Sequence, residues 1–180
     1  MFVKRLLALC ASLAVLALAG CATPPPDSNA GPPSDQDAYV ILGVSPLDMR
    51  LEIVDGTVQN GVFKEPFIRM VTPSYMPDDD GYIVMKVKGN TSYAINTAIW
   101  TFGRQSVFGD QFFPRGGSLV FEAPAGKVTY VTNLVYRRVI GGMDMSQRPD
   151  LEGAQAYLKK HYPQLAGRLQ QGRYGFLPLD

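Results

Sequence analysis

From Val40 to Val139 the apolar residues of this chain come in short runs of strand length, each closed by a glycine, a proline or a cluster of aspartates. Short apolar runs bounded by such punctuation read as β-strands, and they leave little room for a helix before residue 150. Val40-Ile-Leu-Gly-Val44, bounded by Pro46, suits a buried strand. Met49 to Val54 alternates in part, Asp55-Gly56 supplies a turn signal, and Thr57 to Phe63 follows as the next strand. Phe67 to Val71 is a further short candidate, ended by Pro73.

After the turn cluster Asp78-Asp-Asp-Gly81, the segment Tyr82 to Lys88 sets Ile83, Met85 and Val87 on one face and Lys86 and Lys88 on the other. That alternation marks a half-buried strand. Tyr93 to Phe102 is a longer one, and Asn90 between the two predicts a hairpin. A Gly-rich loop runs from Gly103 to Gly117. Beyond it, Ser118 to Glu122 and Lys127 to Val139 flank the tight turn Pro124-Ala-Gly126, and these two strands are expected to pair antiparallel.

Only the C-terminal part has a helical period. Asp150 can cap a helix with Glu152 in its first turn. Leu151, Ala154, Leu158 and Tyr162 share one stripe, and Pro163 stops the run. A weaker helix is expected through Leu165 and Leu169, ending near Gly172. Together these patterns predict a mainly β fold, an antiparallel β-sandwich over residues 38–180 with a C-terminal α-helix packed on it. The likeness of Ala38-Tyr-Val-Ile to Gly81-Tyr-Ile-Val is too short to mark a duplication.

The first twenty residues read differently. Lys4 and Arg5 give a positive start, and the uncharged apolar run Leu6 to Leu18 is shorter than the roughly 20 residues a spanning helix needs. Small residues follow at Ala19-Gly20, so residues 1–20 form a secretory signal peptide. Its end, Leu18-Ala19-Gly20-Cys21, resembles the lipobox of bacterial lipoproteins. The resemblance implies cleavage before Cys21 and diacylglyceryl attachment to its thiol, so that membrane lipid becomes the first partner of the chain. Ala22, where Asp often retains enteric lipoproteins in the inner membrane, points toward the outer membrane. Residues 21–37, rich in Pro, Ser, Asp and Gly with almost nothing apolar, read as a flexible lipidated tether.

Several chemistries are excluded or unsupported. The chain has two cysteines, Cys10 inside the leader and Cys21 at the lipobox. Neither a disulfide nor a thiolate metal site nor a cysteine nucleophile is left for the folded part. The 17 basic and 16 acidic residues are nearly balanced, and without a basic run there is no electrostatic footprint for nucleic acid. Arg137-Arg138 reads as a solvated strand end. No cofactor motif is present.

The segment Phe121-Glu-Ala-Pro-Ala-Gly-Lys-Val-Thr-Tyr-Val131, with Ala154-Gln-Ala-Tyr-Leu158 and Tyr162-Pro163, is similar to a group of uncharacterised bacterial lipoproteins built on a small β domain. The similarity covers roughly the C-terminal third. It implies fold and location, and carries over no site residues.

Possible chemistry is sparse. His161, the only histidine, lies where a helix C-terminus favours a cation, and no Gly-x-Ser-x-Gly accompanies it. Asp78-Asp-Asp-Gly81 offers oxygens but lacks the ligand spacing of a calcium loop. Glu122, Asp110 and Asp144 are carboxylates without a recognisable pairing. The 103–117 loop stands out: Phe108, Phe112 and Phe113 are mixed with Arg104, Asp110 and Arg115, just after Trp100. Aromatics with convergent polar groups make a ligand or partner surface, whereas phenylalanines that only close one end of the sandwich would be buried. Tyr130, Tyr136 and Tyr157 read as packing residues.

The expectation is therefore a lipid-anchored envelope protein, a non-enzymatic module that binds an envelope protein, a glycan or a small ligand, or that serves a structural role. An accessory lipoprotein of an assembly machine is a variant with a fixed partner. The alternative is a secreted hydrolase using carboxylates or a Ser/His161 arrangement. Two close carboxylates in a cleft would favour the enzyme, and an exposed aromatic patch near Phe112 the binding module.

Overall fold

In the computed structural model the described residues are 23–66, 72–104, 106, 108–114 and 116–180. The residues 1–20 expected to be a leader, Cys21 and Ala22, the strand expected over 67–71, and Arg115 lie outside them. In chain order the first strands are β1 (Asp37–Ser45), β2 (Met49–Gln59), β3 (Val62–Lys64), β4 (Ser74–Tyr75), β5 (Tyr82–Lys88) and β6 (Thr91–Thr101). There follow β7 (Gly109–Phe112), β8 (Ser118–Ala123), β9 (Val128–Val139), β10 (Gly142–Gln147), helices α1 (Leu151–His161) and α2 (Pro163–Ala166), then β11 (Leu169–Gln171) and β12 (Tyr174–Leu177).

The run at Val40 is apolar on both faces because β1 is covered on both. Val40, Leu42 and Val44 point into the core between the sheets, while Tyr39 and Ile41 meet the helical layer. One sheet has the order β10-β9-β1-β5, with β11 also on β9. The other runs β12-β8-β6-β2-β3, with β4 on β2 and β7 on β6. Residues from both sheets, among them Met85, Val131 and Leu134 of the first and Leu51, Ile53, Ile95, Leu119 and Phe121 of the second, fill the space between them. The expected mainly β sandwich with a C-terminal helix is what the chain forms.

Helix α1 begins where expected: the Asp150 side chain accepts from the Gly153 N–H at 2.8 Å, satisfying one of the free first-turn donors. It lays Ala154, Tyr157 and Leu158 against β1 and β9, and Tyr162 joins them. Leu151, placed on the same stripe from sequence, is 39% exposed. Pro163 ends α1 but opens α2, since its missing N–H is no loss at a helix start. The longer second helix does not form; residues 169–171 add a short parallel strand to β9 instead.

Several expected turns change their meaning. Asp55-Gly56 is not a turn: β2 runs straight through it, and a Cβ on Gly56 would fall 2.5 Å from the Phe63 ring and 2.4 Å from the Lys64 carbonyl. The reversal comes at Asn60-Gly61, both with positive φ (52° and 77°), the pair a two-residue hairpin demands. The hairpin across Asn90 and the pairing across Pro124–Gly126 are also corrected. β5 lies in one sheet and β6 in the other, and so do β8 and β9. Both turns are corners that carry the chain between layers. They are also bonded to each other, the Asn90 side chain accepting from the Ala125 N–H at 3.1 Å. Nor is the pairing wholly antiparallel, because β1 and β11 both run parallel to β9.

The segment expected as a tether follows the domain surface. The Thr23 N–H donates to the Ser74 carbonyl at 2.7 Å, the Tyr162 hydroxyl to the Pro26 carbonyl at 3.4 Å, and Ala30 packs against the helical layer.

Candidate functional site: an apolar cleft between the sheets

β6 changes partner along one edge. β8 pairs with it over Thr91–Ala94 and β7 over Ala98–Thr101, and Phe113, Pro114, Gly116 and Gly117 lie between β7 and β8 at the break. On the facing sheet, β1 pairs with β9 only as far as Val135, while β9 continues to Val139 as a hairpin with β10. Between the break and the overhanging hairpin lies a cleft of about 680 Å³, within the range of small-molecule sites.

Its walls are Ile95 and Ala98 of β6, Gln111 and Phe112 of β7, Phe113, Pro114 and Gly117 of the crossing, and Ser118 of β8. Opposite stand Tyr136 and Val139 of β9, the tip Ile140-Gly141-Gly142, Met143 and Met145 of β10, and Phe176 of β12. No Asp, Glu, Lys, Arg or His is among the described lining residues. The Ser118 hydroxyl is already turned away, donating to the Ile95 carbonyl. Burial pushes the Tyr136 phenol well above its usual range, so it stays a neutral O–H. At the mouth Phe113 is 66% exposed, Phe176 51% and Ile140 fully so. Large apolar side chains grouped in the open mark a contact site rather than a core, and Met143 and Met145 add side chains that adjust to irregular shapes.

A clamp sits beside the cleft. The Arg138 guanidinium lies 4.8 Å over the Trp100 ring and 3.0 Å from the Asp110 carboxylate, while the Trp100 Nε1–H donates to Asp48 Oδ2 at 2.8 Å. The ion pair is half exposed and contributes little to stability. Its geometry nonetheless ties β9 to β6 and β7 across the sandwich.

The aromatic loop singled out in the sequence is thus divided. Phe112 and Phe113 line the cleft. Trp100 and Asp110 belong to the clamp. Arg104 bonds Asp79 and donates to the Pro77 carbonyl at 3.1 Å, and Phe108, 72% exposed, stands at the base of the β6–β7 loop opposite Phe102. The phenylalanines are therefore not simply closing the sandwich. The opposite wall of the cleft, from Tyr136 to Met145 with Phe176, went unread, although Met143 and Met145 flank Asp144 with the same alternation that revealed β5.

The other candidate chemistry is occupied by structural bonds. Asp78 accepts from the Asp80 and Tyr82 N–H groups and from the Tyr157 hydroxyl at 2.5 Å. Asp80 receives Lys160 at 2.8 Å and His161 at 2.5 Å, and the Lys160 hydrogen bond, then that of His161, holds its carboxyl below the usual carboxylate range. The acidic turn therefore fastens the C-terminal end of α1. Among the described residues no serine or threonine hydroxyl is bonded to His161. None of Glu122, Asp110 and Asp144 lines the cleft.

Searches of protein-family models, curated proteins and solved structures find no match to this chain. Whatever the cleft does must be read from its own chemistry.

Proposed function

We propose that this protein is a lipid-anchored envelope module, non-enzymatic, that holds an apolar ligand in the cleft between β7 and the β9–β10 hairpin. The observation that carries the reading is the character of the walls: about 680 Å³ in which phenylalanine, methionine and aliphatic side chains predominate beside Gln111, Ser118 and the neutral Tyr136 phenol, with no Asp, Glu, Lys, Arg or His among the described lining residues. A glycan would need a fringe of hydrogen-bonding side chains, and with Ser118 bonded to Ile95 the described lining leaves only Gln111 and the Tyr136 hydroxyl for that role. The anchor rests on Leu18-Ala19-Gly20-Cys21. Two or more acyl chains on one cysteine hold a protein stably where a single chain does not.

The cleft is tested with N-phenyl-1-naphthylamine, whose emission rises on entering an apolar site. Wild-type protein should enhance it saturably. Ala98→Trp, which places an indole in the cleft, should weaken binding about tenfold or more, while Gln59→Trp on the far end leaves it unchanged. Equal titrations for all three proteins would refute the cleft as the site. The anchor is tested separately by fractionating cells that express Cys21→Ser: the wild-type chain should sediment with membranes and the variant should not. A variant that still sediments and still carries lipid removes Cys21 from the account.

A further inference from the structure

Several independent features gather at one end of the sandwich, the end where β1 and β6 finish and β2 and β5 begin. The loop between β6 and β7 projects there, clasped by the Phe102 N–H donating to the Phe108 carbonyl at 3.0 Å. Phe102 is 67% exposed and Phe108 72%. The β9–β10 hairpin overshoots β1 in the same direction, and its tip residue Ile140 is fully exposed. The Arg138 contacts with Trp100 and Asp110 tie that hairpin to the strands that carry the phenylalanine loop.

The chain itself enters from this side. Thr23 is bonded to Ser74, which pairs opposite Glu52 near the start of β2. From Thr23 the backbone runs past Pro26 and Ala30 to reach β1 at the other end of the sandwich. Arg104 then links the phenylalanine loop to Pro77 and Asp79, just beyond β4. Cys21 is two residues before Thr23, and two residues of fully extended chain reach at most about 7 Å.

We infer that this end of the sandwich seats on the lipid bilayer, with Phe102, Phe108 and Ile140 entering its interfacial layer. The inference rests on the reading of Cys21 as the lipid carrier. A domain bonded to its own chain two residues from an acylated cysteine is held against the bilayer, not suspended above it. Tethering at that distance gives the tips a high effective concentration of lipid, so a few apolar side chains suffice to dock them. Exposed phenylalanines at the base of the β6–β7 loop and an exposed isoleucine at the neighbouring hairpin tip have no use in water but lose that exposure in the interface. Of the neighbouring charges, Arg104, Arg138 and Lys160 are each paired with a carboxylate and Arg137 lies opposite Asp144 in the hairpin register, so the charges offset one another and the apolar side chains make the contact.

The chemistry of the chain makes the test clean. With Cys10 removed in the leader and Cys21 acylated, an introduced cysteine is the sole free thiol. Full-length Phe108→Cys, Ile140→Cys and Gln59→Cys precursors are expressed, and the processed proteins are purified, labelled with an environment-sensitive fluorophore and reconstituted in vesicles of phosphatidylethanolamine and phosphatidylglycerol. Intact mass reports the acyl chains, and quenching by spin-labelled lipid reports contact. Labels at 108 and 140 should shift to the blue and be quenched several-fold more than the label at 59, which marks the opposite end. Lipid present by mass with all three labels equally unquenched overturns the docking and leaves the anchor standing. Absence of lipid from Cys21 overturns both. Quenching that appears at 108 and 140 only when the label at 59 is quenched as strongly also overturns it, since no one end would then face the bilayer.

Discussion

Phe63→Ala should lower the stability of the folded domain by about 3–5 kcal/mol, seen as a fall in the urea midpoint with the slope preserved. Phe63 is fully buried in a cluster on the outer face of the second sheet with Val54, Ala94 and Val120, against which Leu177 and Leu179 pack. Its backbone bonds both Pro178 and Asp180, so one side chain joins the β2–β3 hairpin to the C-terminal segment. Gly56 has no side chain beneath the ring, and nothing there can swing in to fill the space that alanine leaves. The cavity cost is therefore added in full to the lost transfer energy. A loss under about 1 kcal/mol would mean that this outer cluster collapses freely and contributes little to the fold.

Tyr130→Ala should be at least as damaging, by about 3–5 kcal/mol from the ring alone, with a further loss from the polar groups it deserts. Tyr130 is fully buried on β9, and burial pushes its phenol up to about 12, so the hydroxyl keeps its proton through the ordinary pH range. That hydroxyl donates to Asn133 Oδ1 at 2.9 Å and accepts from the Asp150 N–H at 2.8 Å. Asp150 is the cap of α1, so the ring and its hydroxyl fix both the depth and the starting point of the helix. Tyr130→Phe separates the two contributions. It keeps the ring, orphans the Asp150 N–H, and should cost about 1–3 kcal/mol. If Tyr130→Phe matches wild type in urea, water takes over the cap and the hydroxyl is not what places the helix.

These two residues also show how far the sequence could be read. Tyr130 was legible as a packing residue because it lies in an unbroken strand pattern, and α1 because its cap, stripe and stopping proline all agree. The strands were visible in the same way, since burial on one or both faces is written into period and composition. Pairing was not. Pro124-Ala-Gly126 and Gly89-Asn90 have the residues of tight turns, but the same residues serve a corner between sheets as well as a hairpin within one. Only the layer to which each strand returns decides between them, and that depends on residues far away in the chain. The turn at Asn60-Gly61 shows the converse. Two positive-φ residues in a row identify it locally, but the nearer Asp55-Gly56 competes for the same role until the Phe63 ring is seen over Gly56. The cleft was half legible: Phe112 and Phe113 stood out as aromatics in a glycine-rich loop. Its far wall belongs to β10, which short Met-Asp-Met alternation marks only faintly.

The parallel pairing of β1 with β9 has a consequence for how the chain behaves before it is folded. The Thr129 hydroxyl bonds the Tyr39 carbonyl across 90 residues of sequence, and the two strands form the middle of their sheet. β1 must therefore wait for most of the polypeptide before its central partner arrives, and β9 is itself incomplete until β11 follows. Such dependence on distant contacts makes folding slow. Until β9 arrives, β1 has only β5 beside it, so this sheet cannot close from local contacts alone and the chain stays open until the last third of its length joins.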